Sequence, residues 1–284
     1  MSKNLKYYLK KAQAEGWAIG QFNFSDLSQL KGIVAAAQKL RSPVILGTSE
    51  GEVGYLGVNQ AISLVSSYLK ESKLPLYLNL DHGHDLSYLK KVAFSGYHAV
   101  HFDGSNLFLE ENISISRKLV AYCRPKGVII EGEVGSLKGT SELHGDTVEI
   151  NKGDLTDPLQ AEEFAKKTIV DSLAVSIGNV HGVYQQMPQL DYDRLKEVKK
   201  RTKVFLVLHG GSGYSGQEIK EAIKDGIVKV NINTELRMAW RQAVEAAMKQ
   251  SGEMKPYKIL SQAAQAVQQV VEEKILIFGS NNKI

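Results

Sequence analysis

Three histidines share one local pattern, in which an apolar run ends in a histidine that is followed at once by glycine. They are His82 in Leu80-Asp81-His82-Gly83, His181 in Asn179-Val180-His181-Gly182 and His209 in Leu208-His209-Gly210-Gly211. Glycine lets the backbone turn away sharply and leaves the imidazole exposed at the end of the run. Three neutral imidazoles with an open fourth position are the ligand set of a catalytic zinc site. A single histidine of this kind is more often structural, so it is the threefold recurrence that predicts a divalent metal site.

Carboxylates accompany these histidines. Asp81 directly precedes a proposed ligand, which suits a general acid/base acting on a metal-bound substrate. Its alternative role is to orient one of the imidazoles by a hydrogen bond. Asp103 and Glu133 can steady a second metal position or accept hydrogen bonds from the ligands.

The other histidines leave an alternative open. His84, two residues past His82, gives the His-x-His pattern of metal-dependent hydrolases, but we expect the turn at Gly83 to carry it onto the following helix. The remaining three are expected at the surface or behind the ligands; they are His98, His101 and His144.

The elements that must position these residues alternate between short β-rich runs and longer amphipathic patterns. The predicted strands are Ala18–Asn23, Pro43–Ser49, Pro75–His82, Ala99–Gly104, Gly127–Gly135, Ser172–Asn179, Lys203–Gly210 and Ile227–Asn233. The predicted helices are Leu27–Leu40, Val58–Lys70, Leu86–Phe94, Glu110–Cys123, Leu159–Ile169, Tyr192–Lys200, Gln217–Lys224, Glu235–Gln250 and Ile259–Glu273. Strict alternation implies parallel strands with right-handed crossovers, so eight units in 284 residues predict an α/β fold, one (β/α)8 TIM barrel with an extra C-terminal helix, over residues 1–284. An open doubly wound sheet would need a glycine-rich turn after its first strand, which Gln21–Asp26 is not.

Polar side chains crowd the carboxyl ends of these strands, where such barrels carry their active sites. Many share one parity within their strand, as in the pairs Asn79/Asp81, His101/Asp103, Glu131/Glu133 and Asn231/Asn233. Residues two apart in a strand point the same way, so these pairs aim at one place. Inward polar groups are costly unless they are paired or surround a site, and their recurrence at one end predicts a site.

Two segments suit a phosphorylated substrate. The loop Gly210-Gly211-Ser212-Gly213 follows the seventh strand, and Asn231-Ile232-Asn233-Thr234 ends the eighth directly before a helix. Glycine amides and a helix amino end both point donors at an anion, and the loops after strands seven and eight are the usual phosphate site of these barrels. Farther back, Ser136–Thr156 connects two units over about twenty residues without a helical period, a length that is usually functional, here as a lid carrying Glu142 and Asp146.

Composition excludes several classes of function. The net charge is only +4, and the basic run at residues 199–203 is typical of a solvated helix end rather than a nucleic-acid surface. The single cysteine, Cys123, cannot form an internal disulfide and falls in a helical pattern that predicts a core position. Met1–Lys11 lacks the apolar stretch of a signal peptide, and no run reaches membrane-spanning length. We expect a cytoplasmic protein without nucleic-acid or membrane partners.

In the order and spacing of its motifs, the chain resembles the class II, zinc-dependent ketose-bisphosphate aldolases, which include the fructose- and tagatose-bisphosphate enzymes. The resemblance runs from Tyr8 to the C-terminus. It rests on Phe22-Asn23, Leu80-Asp81-His82-Gly83, Phe102-Asp103-Gly104-Ser105, Glu131-Gly132-Glu133-Val134-Gly135, Thr156-Asp157-Pro158, Asp171–Val175, His181-Gly182-Val183-Tyr184, Leu208–Gly213 and Lys229-Val230-Asn231.

The resemblance implies one zinc ion per chain on His82, His181 and His209, with Asp81 as the acid/base. Zinc would take the oxygens of the ketose phosphate and stabilise the enediolate. Asp103 and Glu133 fall near an alternative metal location, and Glu142 falls where the family's mobile loop carries an acidic catalytic residue. Dihydroxyacetone phosphate would be held, with a monovalent cation nearby, by Gly182, Gly210, Gly211, Ser212, Asn231, Asn233 and Thr234. The remaining implied substrate-binding residues are Asn23, Ser49 and Arg237, and the family suggests a homodimer or homotetramer.

Two departures concern the family pattern. Asn179-Val180 stands where the family usually has small or hydroxyl residues, and Lys255-Pro256-Tyr257 stands where it commonly has Asp-Pro-Arg. Losing that arginine removes a planar fork that grips phosphate, so we expect a weaker preference for a phosphorylated aldehyde half unless Lys255 or Lys258 compensates. Which ketose phosphate is used stays open.

Two other functions fit parts of the pattern. A metal-dependent hydrolase on the same barrel would use His84 as a ligand and a second metal, and a binding protein would keep the fold without the activity. Metal content, measured together with release of dihydroxyacetone phosphate from a panel of ketose phosphates, separates the three functions.

Overall fold

Eight β-rich runs form the strands of the computed structural model, which describes residues 3–284 and, at 250 and 251, the backbone alone. They are β1 (Ile19–Asn23), β2 (Val44–Ser49), β3 (Leu76–Gly83), β4 (Ala99–Phe102), β5 (Ile129–Val134), β6 (Ser172–Val175), β7 (Phe205–Leu208) and β8 (Ile227–Ile232). Each strand pairs in parallel with the next, and β8 pairs with β1, so the sheet closes into a barrel. The predicted TIM barrel is confirmed. Most predicted strands are trimmed at their ends, most of all β6, which ends at Val175 rather than Asn179, and β7, which spans Phe205–Leu208 rather than Lys203–Gly210.

The helices are α1 (Leu5–Glu15), α2 (Leu27–Leu40), α3 (Glu50–Leu56), α4 (Val58–Ser72), α5 (Leu86–Ser95), α6 (Leu109–Cys123), α7 (Pro158–Thr168), α8 (Tyr192–Arg201), α9 (Gly216–Lys224), α10 (Thr234–Ser251) and α11 (Pro256–Phe278). Short 3-10 turns occupy Arg124–Lys126 and Lys152–Asp154. The nine predicted helices are present, whereas α1 and α3 were not predicted. Within residues 3–284, every helix is too short or too polar to cross a lipid bilayer.

Inward side chains change from apolar to polar along the barrel axis. At the amino ends of the strands, α1 packs against an apolar layer made of Ile19, Ile45, Tyr77, Ala99, Ile129, Phe205 and Val228. Two residues farther along, at the same parity, come Gln21, Asn79, His101 and Glu131, and beside them on β8 lies Lys229, all buried. The outward side chains pack against the helices as the main core. Cys123 belongs to this core, as predicted, and burial raises the pKa of its thiol to about 11.

The C-terminal helix α11 packs closely along α2. Gly32 lies on the contacting face of α2, where a methyl group would lie 2.5 Å from the carbonyl oxygen of Ala264 and 3.0 Å from the amide nitrogen of Gln268. Both atoms belong to the backbone of α11, so neither can move without moving the helix. Gly32 therefore sets the distance between α2 and α11.

Gly32→Ala should lower stability by about 1–3 kcal/mol, the usual cost of overpacking, because α11 must move away from α2. Gly54→Ala in α3 is the matched control, since nothing lies within 4 Å of the position of its added methyl. That control should be neutral or slightly stabilising, because alanine restricts the unfolded chain. Urea unfolding of the two variants measures the difference, and equal midpoints would contradict the close helix contact.

Candidate metal centre and active site

The carboxyl end of β3 carries both Asp81 and His82, and its backbone departs there from regular pairing. The register with β4 shifts between Leu80 and Gly83, and His82 has a φ of 51°, in the left-handed region. A bulge re-aims the side chains it contains, and a left-handed conformation at a residue with a β-carbon costs roughly 1–3 kcal/mol. The sharp turn expected at Gly83 thus begins one residue earlier. Asp81 and His82 both line a cavity of about 430 Å³ at the barrel mouth.

The three imidazoles proposed as ligands lie together at this cavity. Nε2 of His82 is 2.9 Å from Nδ1 of His209, and the ring of His181 is centred 4.8 Å from the ring of His82 and 6.3 Å from that of His209. His181 lies in the loop after β6, and Gly182 behind it has a φ of 103°. A side chain at residue 182 would also meet the carbonyl oxygen of Thr140 at 2.6 Å, so glycine is required there. The loop after β6 and the segment that contains Thr140 can therefore approach each other closely enough to enclose His181.

Two groups of side chains offer ligand atoms within 4.8 Å of one another. One consists of Asp81, His82, His101 and His209, and the other of His82, Asp103 and Glu133. His181 lies beside these groups rather than within them. His101, which we expected at the surface or behind the ligands, is fully buried and accepts a hydrogen bond from the amide of His82 at 3.2 Å. The parity that it shares with Asp103 was the signal for this inward position.

The donor set fits a divalent cation. Oε2 of Glu133 and Nε2 of His101 are buried 3.1 Å apart, yet among the described residues neither has a partner in hydrogen-bonding geometry. Oδ1 of Asn231 is equally without such a partner. Unpaired buried polar atoms are costly, and a cation relieves those that carry lone pairs. Imidazole nitrogens with carboxylate oxygens are ligands that zinc accepts.

A buried ion pair supports His209 from behind. Glu131 accepts a hydrogen bond of 2.7 Å from Nζ of Lys229 and lies 2.7 Å from Nε2 of His209. Lys229 is therefore ion-paired in the barrel interior. A carboxylate that accepts the Nε2 proton leaves Nδ1 with its lone pair, and this nitrogen faces His82. Glu131 thus presents His209 in the tautomer that ligates a metal through Nδ1.

Charge balance sets the protonation of the cluster. Burial disfavours the charged ring of His82, but Asp81, Asp103 and Glu133 outweigh it and raise its pKa to about 10. Burial and repulsion from His82 and His209 lower the pKa of His181 to about 3. The pKa of His209 is also lowered, mainly by burial. The carboxylates thus stabilise positive charge at His82, the place where a cation would be held.

Asp81 is held as a carboxylate between two amides. Burial alone would raise its pKa, but neighbouring positive charge, chiefly at His82, lowers it well below its usual range. Nδ2 of Asn23 donates to Oδ2 of Asp81 at 3.0 Å, and Nδ2 of Asn231 donates to Oδ1 at 3.1 Å. These contacts fix the carboxylate beside the imidazoles, where it can accept a proton from a bound substrate.

The amino end of α10 borders the cavity and is the candidate anion site. This helix of 18 residues begins at Thr234 without a side-chain cap from Asn233, and its positive dipole end lies beside Gly210 and Ser212 at the cavity. The amide of Glu235 donates to Oγ of Ser212 at 3.4 Å. Two glycine-loop amides serve other purposes: Gly211 donates to the carbonyl oxygen of Asn231 at 3.0 Å, and Gly213 donates to Glu235 at 2.7 Å. Gly211 does not line the cavity, so hydrogen-bond donors for an anion would come from α10 and Ser212 rather than from Gly211.

The predicted lid, residues 136–156, lies along the loop that holds His181. His181 donates its amide to the carbonyl oxygen of Lys138 at 2.8 Å, and His144 stacks on Tyr184 with ring centroids 4.3 Å apart. Thr140 and Ser141 line the cavity, whereas the side chain of Glu142 is exposed and does not. Glu142 could reach a substrate only if the loop moved.

The remaining predicted residues form the wall made by β1, β2, β8 and α10. Asn23, Ser49, Asn233 and Arg237 all line the cavity there. Behind them is Glu52, a buried residue of α3 that sequence analysis did not single out. The Ser49-x-x-Glu52 spacing is that of a capping box, which the structure contains, so this signal was present in the sequence. His84 is 59% exposed and 3.7 Å from Asp103, in the turn before α5 rather than on the helix.

Similarity to known proteins agrees with this geometry. The family model Fructose-bisphosphate aldolase class-II matches residues 3–283. The chain belongs to the class II fructose-bisphosphate aldolase family. Enzymes of this class depend on a metal ion, and the aldolase is therefore a lyase whose cluster of histidines and carboxylates could hold that ion.

Three relatives resemble this aldolase over nearly its whole length. Two proteins named 6-phospho-5-dehydro-2-deoxy-D-gluconate aldolase are 36% identical over 99% of this chain (97% of the relative, from Halalkalibacterium halodurans) and 37% identical over 97% (94% of the relative, from Shouchella clausii). The crystal structure of the YdjI aldolase from Escherichia coli K12 superimposes with a TM-score of 0.83 at 32% identity, covering 99% of this chain and 98% of that one.

His209→Ala in the aldolase should reduce bound divalent metal from about one ion per chain to a small fraction, because too few ligands remain. His84→Ala is the control and should retain the metal, since His84 is largely exposed. Elemental analysis after dialysis measures both. Retention of metal by the His209 variant, or its loss from the His84 variant, would contradict the proposed ligand set and favour the hydrolase-like arrangement.

Proposed function

We propose that this enzyme is a zinc-dependent aldolase that cleaves or forms a ketose phosphate, with dihydroxyacetone phosphate as one product or donor. The observation that carries the proposal is the position of Asp81: it lies between the imidazole cluster and two amides, in the same cavity as the uncapped start of α10. A metal-held carbonyl, a base and an anion site within one cavity are what aldol cleavage of a phosphorylated ketose requires.

His82, His181 and His209 would hold the zinc ion, with Asp103 and Glu133 near a second position. Bound there, zinc supplies a Lewis acid that stabilises negative charge on the ketone oxygen of the substrate. The chain supplies the rest of the chemistry. Gly182, Gly210, Ser212, Thr234 and neighbouring groups bind the phosphate, with a monovalent cation nearby, and so hold the reacting carbons at a fixed distance from Asp81.

The proton goes to Asp81 in the cleavage direction. Its carboxylate takes the proton of the hydroxyl on the aldehyde half, the carbon–carbon bond next to that hydroxyl breaks, and the electron pair moves toward the ketone oxygen. The aldehyde forms from the alkoxide carbon. The donor half then takes up a proton, for which we propose Glu142 after closure of the lid. Closure also excludes water, which protects the reactive donor half.

The named substrate of two relatives is 6-phospho-5-dehydro-2-deoxy-D-gluconate, which has one phosphate, a ketone beside the phosphate-bearing carbon, and a carboxylate at the far end. Cleavage between its third and fourth carbons releases dihydroxyacetone phosphate, so the same site and chemistry would act on it. We therefore propose a ketose with a single phosphate as the substrate class.

A panel of ketose phosphates tests the proposal, with dihydroxyacetone phosphate detected by a coupled dehydrogenase. We expect release that a chelator abolishes and zinc restores. No release from any member, or release that resists a chelator and is trapped on a lysine by borohydride, would refute it.

Asp81→Asn should keep the fold and the metal but lower turnover by about a hundredfold or more, the usual scale for a lost acid/base. Asp85→Asn provides a nearby control, because Asp85 is exposed and caps α5 through a 2.7 Å bond from the amide of Tyr88. Turnover and metal content are measured together. Normal turnover of the Asp81 variant with its metal intact would contradict the acid/base role. Asp81 would then serve only to orient an imidazole.

A further inference from the structure

We propose that Glu52 is a specificity-determining residue: by neutralising Arg237 it makes the aldehyde side of the cavity favour a hydroxyl or carboxylate group over a phosphate. This inference rests on the proposed aldolase function and names the substrate class of the same site. Glu52 itself does not line the cavity, so it acts on the substrate through Arg237, which does.

The two carboxylate oxygens of Glu52 are fully used. Oε2 accepts the amide of Ser49 at 2.8 Å and Nδ2 of Asn23 at 3.0 Å. Oε1 accepts Nδ2 of Asn233 at 3.1 Å and Nη2 of Arg237 at 2.7 Å. Only 6% of Glu52 is exposed, so its charge is screened little by solvent and acts on its neighbours.

This arrangement exceeds the needs of helix α3. The capping box requires only the bond from the Ser49 amide to Oε2 and the bond from the Glu52 amide to the hydroxyl of Ser49. Oε1 takes no part in the box and is directed at Asn233 and Arg237 instead. A glutamate is ordinarily exposed unless its charge is paired, and burial of this one next to an arginine indicates a further role.

The chain of contacts runs along the aldehyde side of the cavity. Nδ2 of Asn23 donates both to Glu52 and to Asp81, which takes the proton from the aldehyde half. Glu52 joins Arg237, and Nη1 of Arg237 donates to the carbonyl oxygen of Ser141 in the lid at 3.0 Å. The aldehyde half must lie next to Asp81, so this wall faces its far end.

Arg237 is the cation on which a second phosphate would depend. Among the described residues that line the cavity, it is the lone lysine or arginine. Lys258, one of the two lysines considered as substitutes for the absent arginine of the family motif, pairs with Glu253 at 3.0 Å instead. Tyr257 is 68% exposed, and neither it nor Lys255 lines the cavity.

The charge of Glu52 decides what Arg237 can recognise. A dianionic phosphate beside Arg237 would be attracted by the guanidinium and repelled by the buried carboxylate of Glu52, which lies 2.7 Å from Nη2 of Arg237. The Arg237–Glu52 pair therefore offers the phosphate no net charge. A hydroxyl or a single carboxylate carries less negative charge than a phosphate and needs less positive charge nearby. It can accept hydrogen bonds from the remaining guanidinium protons, since two of the five are engaged by Glu52 and Ser141.

The test compares aldehyde acceptors in the zinc-loaded enzyme with dihydroxyacetone phosphate as donor. The acceptors are glyceraldehyde 3-phosphate, glyceraldehyde and 3-oxopropanoate. In the wild type, kcat/KM for the phosphorylated aldehyde should not exceed that for the better of the other two. Glu52→Gln should raise the ratio of phosphorylated to unphosphorylated glyceraldehyde by about tenfold, the scale of one removed charge near a partly exposed anion.

Two further variants separate charge from structure. Glu52→Asp retains the charge and should keep the wild-type ranking of the aldehydes. In an Arg237→Met background, Glu52→Gln should no longer raise the ratio, because the charge that it uncovers is gone. A uniform change for all three aldehydes on Glu52→Gln would make Glu52 a purely structural residue and overturn the inference, as would a wild type that strongly prefers the phosphorylated aldehyde.

A binding measurement keeps this test independent of turnover. Calorimetry in the slow Asp81→Asn background gives the affinity ratio of fructose 1,6-bisphosphate to fructose 1-phosphate, which should rise by a similar factor when Glu52→Gln is added. A protein that releases no dihydroxyacetone phosphate from any sugar would refute the proposed function, and the binding ratio would still decide on Glu52. An unchanged binding ratio in a folded Glu52→Gln variant would overturn the inference alone.

Discussion

The site depends on the balance of buried charge at the carboxyl end of the barrel. Four carboxylates, Asp81, Asp103, Glu131 and Glu133, are buried or nearly buried there, and such a group is unfavourable unless cations are close. Lys229 forms an ion pair with Glu131, and the imidazoles of His82, His101 and His209 lie beside the other three carboxylates. This balance explains why the raised pKa falls on His82, which faces three carboxylates, whereas burial and repulsion from the neighbouring imidazoles lower the pKa of His181.

The barrel brings these charges together because side chains two residues apart along a strand point the same way. Ile129, Glu131 and Glu133 follow one another inward along β5, so a single strand passes from apolar core to buried ion pair to cavity. The apolar end is closed by α1, which leaves the polar end to face the loops. At His82, next to the inward-facing Asp81, regular alternation would point the side chain away from the cavity. A bulge and the left-handed conformation of His82 turn it toward the cavity instead.

Much of this could be predicted from the sequence because period and parity are local signals. The eight strands, the inward pairs such as Glu131/Glu133 and the His-Gly endings needed no knowledge of tertiary contacts. Other features depend on partners far along the chain. Helix α3 is only seven residues long and contains two glycines, so its amphipathic period is too short to recognise. Glu52 becomes notable only when β8 and α10 bring Asn233 and Arg237 to it.

The position of Arg237 also links the aldehyde side of the site to the lid. Its guanidinium joins Glu52 on α3 to the backbone of Ser141, so the same side chain contacts both the wall of the cavity and the loop for which we propose closure. A group that competes for the guanidinium would weaken the bond to Ser141, whereas a group that needs only the free protons would leave it intact. Because Glu52 contacts the other side of the guanidinium, the proposed closure of the lid would be coupled to occupation of the aldehyde side. The imidazole cluster lies on β3, in the loop after β6 and at the end of β7, whereas Glu52 and Arg237 lie on α3 and α10. A change in acceptor preference at this wall need not alter that cluster.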